Sequence, residues 1–173
     1  MRPEEVKIAI VTISDSRFAA MIRGERPEDE SGDLAESLFR RKGFKKILRI
    51  LIPNEALVIS GIVKFLARRE EVDIMVLIGG TGIGPHDVTP EAIEGLLEKR
   101  LDGFGELFRR LSYDEIGTRA IASRALAGTY LKSLVFCLPG SVKAVDLALN
   151  RIILPEIMHL LRVIRGLPHE AEH

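Results

Sequence analysis

Apolar positions along the chain fall into two rhythms. Short, nearly unbroken apolar runs recur at Val6–Ser14, Lys45–Ile52, Asp73–Ile78 and Ser133–Leu138. Segments such as IAIVTI, IMVLI and LVFCL leave no polar face, the pattern of strands buried on both sides of a parallel sheet. Between them the spacing changes to three and four. Leu34 and Leu38 share one face of a stretch from Asp33 to Lys42 that stops at Gly43, a residue suited to a helix C-terminal cap. Pro53-Asn54-Glu55 opens a helix with the stripe Ile59, Ile62, Val63 and Leu66. Thr89-Pro90-Glu91 reads as a helix start, with a Thr cap, Pro at the first helical position and an acid at the positive end of the dipole; Ile93, Leu96 and Leu97 then face the core. Ser141 caps a last long helix that Pro155 interrupts or kinks and that ends at Gly166. Strands alternating with helices predict an α/β fold, a mainly parallel sheet with helices on both faces.

The stretch Asp15–Glu30 breaks the rhythm. It is polar, holds Gly24 and Pro27, and is expected to be a mobile loop after the first strand. In open α/β sheets the loops at the carboxyl ends of strands build the ligand site. The chemistry is therefore expected on three loops: after Ser14, after Ile78 and after Leu138.

Composition narrows the class. The 173 residues suit one domain, 1–173, with a full core. Twenty-five bases balance twenty-five acids, which gives no bulk attraction to a polyanion and sets nucleic acid aside. The short runs Arg40-Arg41-Lys42 and Arg68-Arg69 read as solvated helix faces. No apolar stretch reaches the ~20 residues of a membrane span, and the acidic start MRPEEVKIAI lacks the form of a signal peptide, so a cytoplasmic protein is expected. The lone Cys137, inside an apolar run, is expected to be a buried inert thiol. There is no Gln, two Asn, and Arg outnumbers Lys seventeen to eight, a bias that suits a heat-adapted (thermophile) protein.

The segment IGGTGIGPHDVTPEAI, Ile78 to Ile93, carries the most chemistry. Gly79, Gly80, Gly82 and Gly84 fall within six residues, more than a tight turn requires, and leave the backbone free for positive φ and close approach to a ligand. Such a turn can form an anion-binding nest, and Thr81 adds a hydroxyl. It is neither a P-loop, since Pro85 and His86 follow Gly84 where Lys would be needed, nor a dinucleotide fingerprint. Asp87 is open to two readings: a carboxylate that organises the loop, or one that holds Mg²⁺ beside a phosphate.

GGTGIGPHDVTPEAI resembles the MoaB/Mog family of molybdenum cofactor biosynthesis proteins, whose signature reads GGTG followed by DVTPEA. Further matches follow in the family's order: TISDS at Thr12–Ser16, ESGDLAESL at Glu30–Leu38, ILIPNE ending at Glu55, Phe104–Gly128, and FCLPGS at Phe136–Ser141. The resemblance spans nearly the whole chain. It implies a three-layer α/β/α sandwich, assembly as a homo-oligomer (trimer or hexamer), and Mg²⁺-ATP-dependent adenylylation of molybdopterin with release of pyrophosphate. The family's DVTP aspartate falls on Asp87, its Gly-rich turn on Gly79 to Gly82, and its LSR serine, in the substrate-binding region, on Ser123, with Ala122 in place of Leu.

Other candidates lie along the same loops. Ser14 and Asp15 end the first strand and could bond phosphate or pterin or cap the loop. Ser31 reads as a helix cap, a position where anions also dock, with Gly32 beside it. Ser112 and Glu115 lie in a helical stretch with Arg119, a charge read as solvated. Pro139, Gly140 and Ser141 follow the fourth strand. The chain departs from the family at Pro53-Asn54, where adenylylating members usually carry Pro-Asp. Asn caps a helix as well as Asp, but its neutral amide is a weaker magnesium ligand. That supplies a second reading, a molybdopterin-binding carrier or scaffold of the same fold that lost chemistry at Asn54.

Overall fold

The computed structural model describes residues 1–167. The chain begins with a short 3₁₀ turn, then runs β1 (Lys7–Ile13), α1 (Asp15–Ile22), α2 (Glu30–Arg41), β2 (Lys46–Ile52), α3 (Ala56–Arg68) and β3 (Ile74–Ile78). It continues with α4 (Thr89–Glu94), β4 (Lys99–Arg100), α5 (Asp102–Ile116), β5 (Leu126–Tyr130), β6 (Ser133–Leu138), α6 (Val142–Ala148) and α7 (Leu154–Ile164). His169 and His173 lie outside the described residues. Among the described residues no helix is long and apolar enough to cross a membrane.

The six strands form one sheet in the order β2-β1-β3-β6-β5-β4. β2, β1, β3 and β6 run parallel; β5 is antiparallel to β6, and β4 to β5. Alternate residues feed two cores. Ile8, Ile10, Val76 and Phe136 pack with α2, α5 and the α6–α7 run on one face. Ala9, Val11, Met75 and Cys137 pack with α3 and α4 on the other. The result is the expected three-layer α/β/α sandwich, and all five residues of β3 are buried. Full burial of each large aliphatic side chain contributes roughly 1.5–3 kcal/mol, so the centre of the sheet is a stiff base for the loops above it.

Several boundaries differ from the sequence reading, each for a local reason. Asp15–Ile22 is a helix, not a loop: Ser14 caps it by accepting the Arg17 N–H at 3.3 Å. It buries none of its residues, so it lacks the apolar stripe that would reveal it. α2 begins at Glu30 because Asp29, not Ser31, is its cap and accepts the Gly32 N–H at 3.1 Å. Residue Glu55 occupies the cap position of α3 without a side-chain bond, so Asn54 is not a helix cap. Val88 precedes α4, which places Thr89 and Pro90 inside its first turn. Arg119 lies in a 3₁₀ turn, Gly117–Ala122, not in α5. Pro155 sits in the first turn of α7, after a π-type segment, Leu149–Ile153, that absorbs the interruption between α6 and α7.

Two strands were not anticipated. β5 pairs with β6 through the two-residue turn Leu131-Lys132, with Tyr130 opposite Ser133. Leu131 takes φ +54°, a value usually left to Gly or Asn, so the turn carries no sequence signal. β4 has two residues and leans on Gly128, where a β-carbon would come within 2.7 Å of Leu97 Cδ1.

Candidate functional site

The three loops expected to carry chemistry follow β1, β3 and β6, which are adjacent in the sheet and parallel, so their carboxyl ends lie side by side. β1 is flanked by β2 and β3, and the connections depart to opposite sides there. Such a switch point opens a crevice above the strand ends.

The Gly-rich turn lies over this crevice. Gly79 has φ +115° and its N–H donates to Leu138 O at 2.9 Å. Gly80 follows with φ +67°, and a β-carbon there would press on Thr89 Oγ1 and come within 2.8 Å of Asn54 Oδ1. Thr89 is fully buried and holds the base of the loop from inside α4: its hydroxyl donates to Gly79 O at 2.9 Å and its N–H to Gly80 O at 3.0 Å. Gly82 and Gly84 do not take positive φ. Their missing side chains instead make room for Asp87, whose Oδ2 would lie 2.7 Å from a β-carbon on Gly82.

Asp87 closes the loop on itself. Its Oδ2 accepts the Gly84 N–H at 2.9 Å, and its own N–H donates to Gly84 O at 3.1 Å. The organising reading of this carboxylate is therefore seen directly, and it leaves the carboxylate half-buried at the rim of a cavity of about 260 Å³.

That cavity collects most of the candidates. Gly80, Thr81, Gly82 and Asp87 line one side; Ser112 and Glu115 of α5 another; Ser123 a third; and Pro139, Gly140 and Ser141 the end of β6. The buried Ser112 lies in α5 among apolar wall residues, including Phe108 and Ile116. Lys143, in the first turn of α6, is the cation in the lining. Sequence reasoning passed over it, although its position two residues beyond the capping Ser141 was the available signal.

Six candidates stand off the cavity lining. Gly79 lies beneath it. Ser31 donates to Gly140 O at 2.7 Å and so ties α2 to the loop after β6. Gly32 is explained by its neighbours: a side chain there would collide with Asp29 and with Arg49, which bridges Asp29, Asp33 and Glu36 at 2.8–3.0 Å. Ser14 is committed to capping α1. Asp15 Oδ1 accepts the Asn54 N–H at 2.7 Å.

Asn54, the sixth, lies against the turn: a β-carbon on Gly80 would come within 2.8 Å of its Oδ1. Its Oδ1 is buried without a hydrogen-bond partner. An unmade bond to a buried oxygen is costly, and such exceptions point to a missing partner or a functional strain.

One further residue was missed. Arg124, directly after Ser123, donates from Nε to Gly82 O at 2.8 Å, from Nη2 to Asp87 O at 3.0 Å, and from Nη1 to the Glu91 carboxylate. The bond from Arg124 holds the Glu91 carboxyl below the ordinary glutamate range. Burial pushes the Cys137 thiol far up, in keeping with an inert core residue. Among the described residues, no three His, Cys, Asp or Glu side chains converge to hold a metal by themselves.

Residues 9–159 match the protein family described as "Probable molybdopterin binding domain". The chain is 42% identical over 164 residues to the "Probable molybdopterin adenylyltransferase" of Methanocaldococcus jannaschii, covering 95% of this chain and 97% of that one. Among solved structures it is similar to a molybdenum cofactor biosynthesis protein B, with a TM-score of 0.84 at 40% identity and coverage of 96% and 99%. It is also similar to the tungsten cofactor synthesizing protein MoaB from Pyrococcus furiosus, with a TM-score of 0.79 at 36% identity and coverage of 92% and 97%.

Proposed function

The chain belongs to the MoaB/Mog family of molybdenum cofactor biosynthesis proteins, and from that premise we propose that it joins the terminal phosphate of molybdopterin to the adenylyl group of ATP. The carrying observation is the cavity where the Gly-rich turn, Asp87, Ser123 and Lys143 meet at the carboxyl ends of β3 and β6.

In this reading a phosphate-monoester oxygen of molybdopterin attacks the α-phosphorus of ATP. The new P–O bond forms as the bond to the bridging oxygen breaks, and pyrophosphate leaves with that electron pair. The attacking phosphate is already largely ionised near neutral pH, so no strong base is needed. The protein's task is to bring two anions together and hold them in line. Lys143 supplies positive charge, Ser112, Ser123 and Ser141 supply hydroxyls, and the apolar wall of Phe108 and Ile116 suits a fused ring.

Asp87 is the carboxylate that would hold Mg²⁺. One protein carboxylate suffices when phosphate oxygens and water complete the shell, and Asp87 spends one oxygen on Gly84 while the other is uncommitted by that bond. When bound, the ion would screen the charge of the phosphates. The unpartnered Oδ1 of Asn54, packed against Gly80, is a neutral oxygen rather than a carboxylate. That neutrality favours the second reading, a carrier that binds molybdopterin without turning it over.

The protein is proposed to act in the cytoplasm as a single domain, 1–173, and as a homo-oligomer. Ile83 and Ile121, 76% and 89% exposed, adjoin the lining residues Gly82 and Ala122 in the chain and suit a contact between copies.

Incubation with molybdopterin and Mg-ATP, followed by assay of pyrophosphate and adenylyl-molybdopterin, tests the proposal. Product establishes the transferase. Binding without product establishes the carrier.

A further inference from the structure

Within the adenylyl-transfer reading, on which this inference rests, we propose that Arg124 is a positioning residue: it straps the Gly-rich loop, and Asp87 with it, to the segment that carries Ser123. Arg124 does not line the cavity, so its influence passes through what it holds. Its backbone N–H donates to Thr81 O at 3.3 Å, Nε to Gly82 O at 2.8 Å and Nη2 to Asp87 O at 3.0 Å, while Nη1 pairs with Glu91 in α4. One residue thus reaches the start, middle and end of the loop and the helix after it.

The loop needs such a tie. The bonds between Gly84 and Asp87 are internal to the turn, and Thr89 secures only its base at Gly79 and Gly80. Without Arg124, the Gly82–Asp87 turn would be a closed unit hinged at one end. Ser123 forms another side of the cavity and is adjacent to Arg124 in the chain. The strap therefore sets how the loop, with Asp87, stands against the segment that carries Ser123. Three nitrogens aimed at three different oxygens use the planar fork of a guanidinium, which a lysine ammonium cannot reproduce. The Glu91 carboxylate fixes the plane of that fork.

The test compares wild type with Arg124→Lys, which keeps the charge and loses the fork. A displacement of about 1 Å at a transfer site costs on the order of 100-fold in rate. Arg124→Lys is expected to lower kcat by about that factor while KM for Mg-ATP stays within about threefold. Unchanged kcat, or a loss confined to KM, overturns the inference. Hydrogen exchange of the substrate-free protein supplies a readout that does not depend on turnover. The Gly84 and Asp87 amides should exchange at least about tenfold faster in Arg124→Lys, with β3 amides unchanged; equal exchange in the loop overturns the strap. If β3 also loosens, Glu91→Ala, which removes the acceptor of Nη1 and leaves Arg124 in place, takes over: faster exchange at Gly84 and Asp87 over unchanged β3 amides is expected, and equal exchange overturns the strap. Absence of pyrophosphate from the wild type would sink the transfer reading alone, since the exchange result still decides the strap.

Discussion

The Asp15 carboxylate accepts the backbone N–H of Asn54 at 2.7 Å, tying the first turn of α1 to the end of β2. That bond brings a carboxylate to the backbone of the very residue whose side-chain Oδ1 is buried without a partner. Asn54→Asp would therefore place a second negative charge beside Asp15 and against Gly80. Without divalent cation, the variant is expected to lose about 1–3 kcal/mol of stability, read as a lower urea midpoint. Millimolar Mg²⁺ is expected to restore most of it and to raise turnover. A variant as stable as wild type and indifferent to Mg²⁺ would show that the amide is not standing in for a cation ligand.

Asp87→Ala removes the acceptor of the Gly84 N–H, a half-exposed bond worth about 1 kcal/mol. The fold should survive with a melting temperature a few degrees lower. Pyrophosphate release should fall by at least about 100-fold, as for loss of one electrostatic partner of a transfer site. Full activity in this variant would remove Asp87 from the site.

Lys143→Ala should leave stability within about 0.5 kcal/mol, because the side chain is exposed. It should weaken binding of Mg-ATP or molybdopterin about tenfold, with a shallower dependence of affinity on salt. Titration calorimetry at two ionic strengths decides which substrate it faces.

The Glu91 carboxyl is held below its ordinary value of 4.5 by the hydrogen bond from Arg124. A depressed carboxyl contributes its stability above the unfolded value and loses it as pH falls through the folded one. The stability difference between wild type and Glu91→Gln should thus be constant from neutrality to about pH 4.5 and shrink only below it. The pair is exposed to solvent, so the difference is at most about 1 kcal/mol. A difference that already shrinks between pH 7 and 5 would contradict the pairing.

Arg-rich, amide-poor composition leads to an expected melting temperature above the ~45–65 °C range of mesophilic domains. Calorimetry on the purified chain checks it.

Much of the fold was legible because its signals are local. β1, β2, β3 and β6 announced themselves as apolar runs, and the stripe of α3 by its spacing. What escaped depends on distant partners. The start of α2 is set by Asp29, which accepts from Thr12 Oγ1 at 2.5 Å and from Arg49 at 2.8 Å, residues on β1 and β2. The β5–β6 turn uses Leu131 where Gly would have been the signal. In the site, the Gly-rich turn and Asp87 were readable from residue types clustered in sequence, and Ser123 only through the family resemblance. Arg124 was not, because its 42-residue reach to Gly82 exists only once β5 lies beside β6. Lys143 likewise gains meaning only from the cavity it borders.

Cys137 is the sole cysteine of the chain and is wholly buried at the centre of the sheet, with its thiol held neutral by burial. The folded protein is thus silent to maleimide, and each label counts one chain that has opened its central strands. The molecule carries its own stopwatch for opening: labelling rates with and without substrate would read how strongly ligands guard the sheet, with no engineered probe.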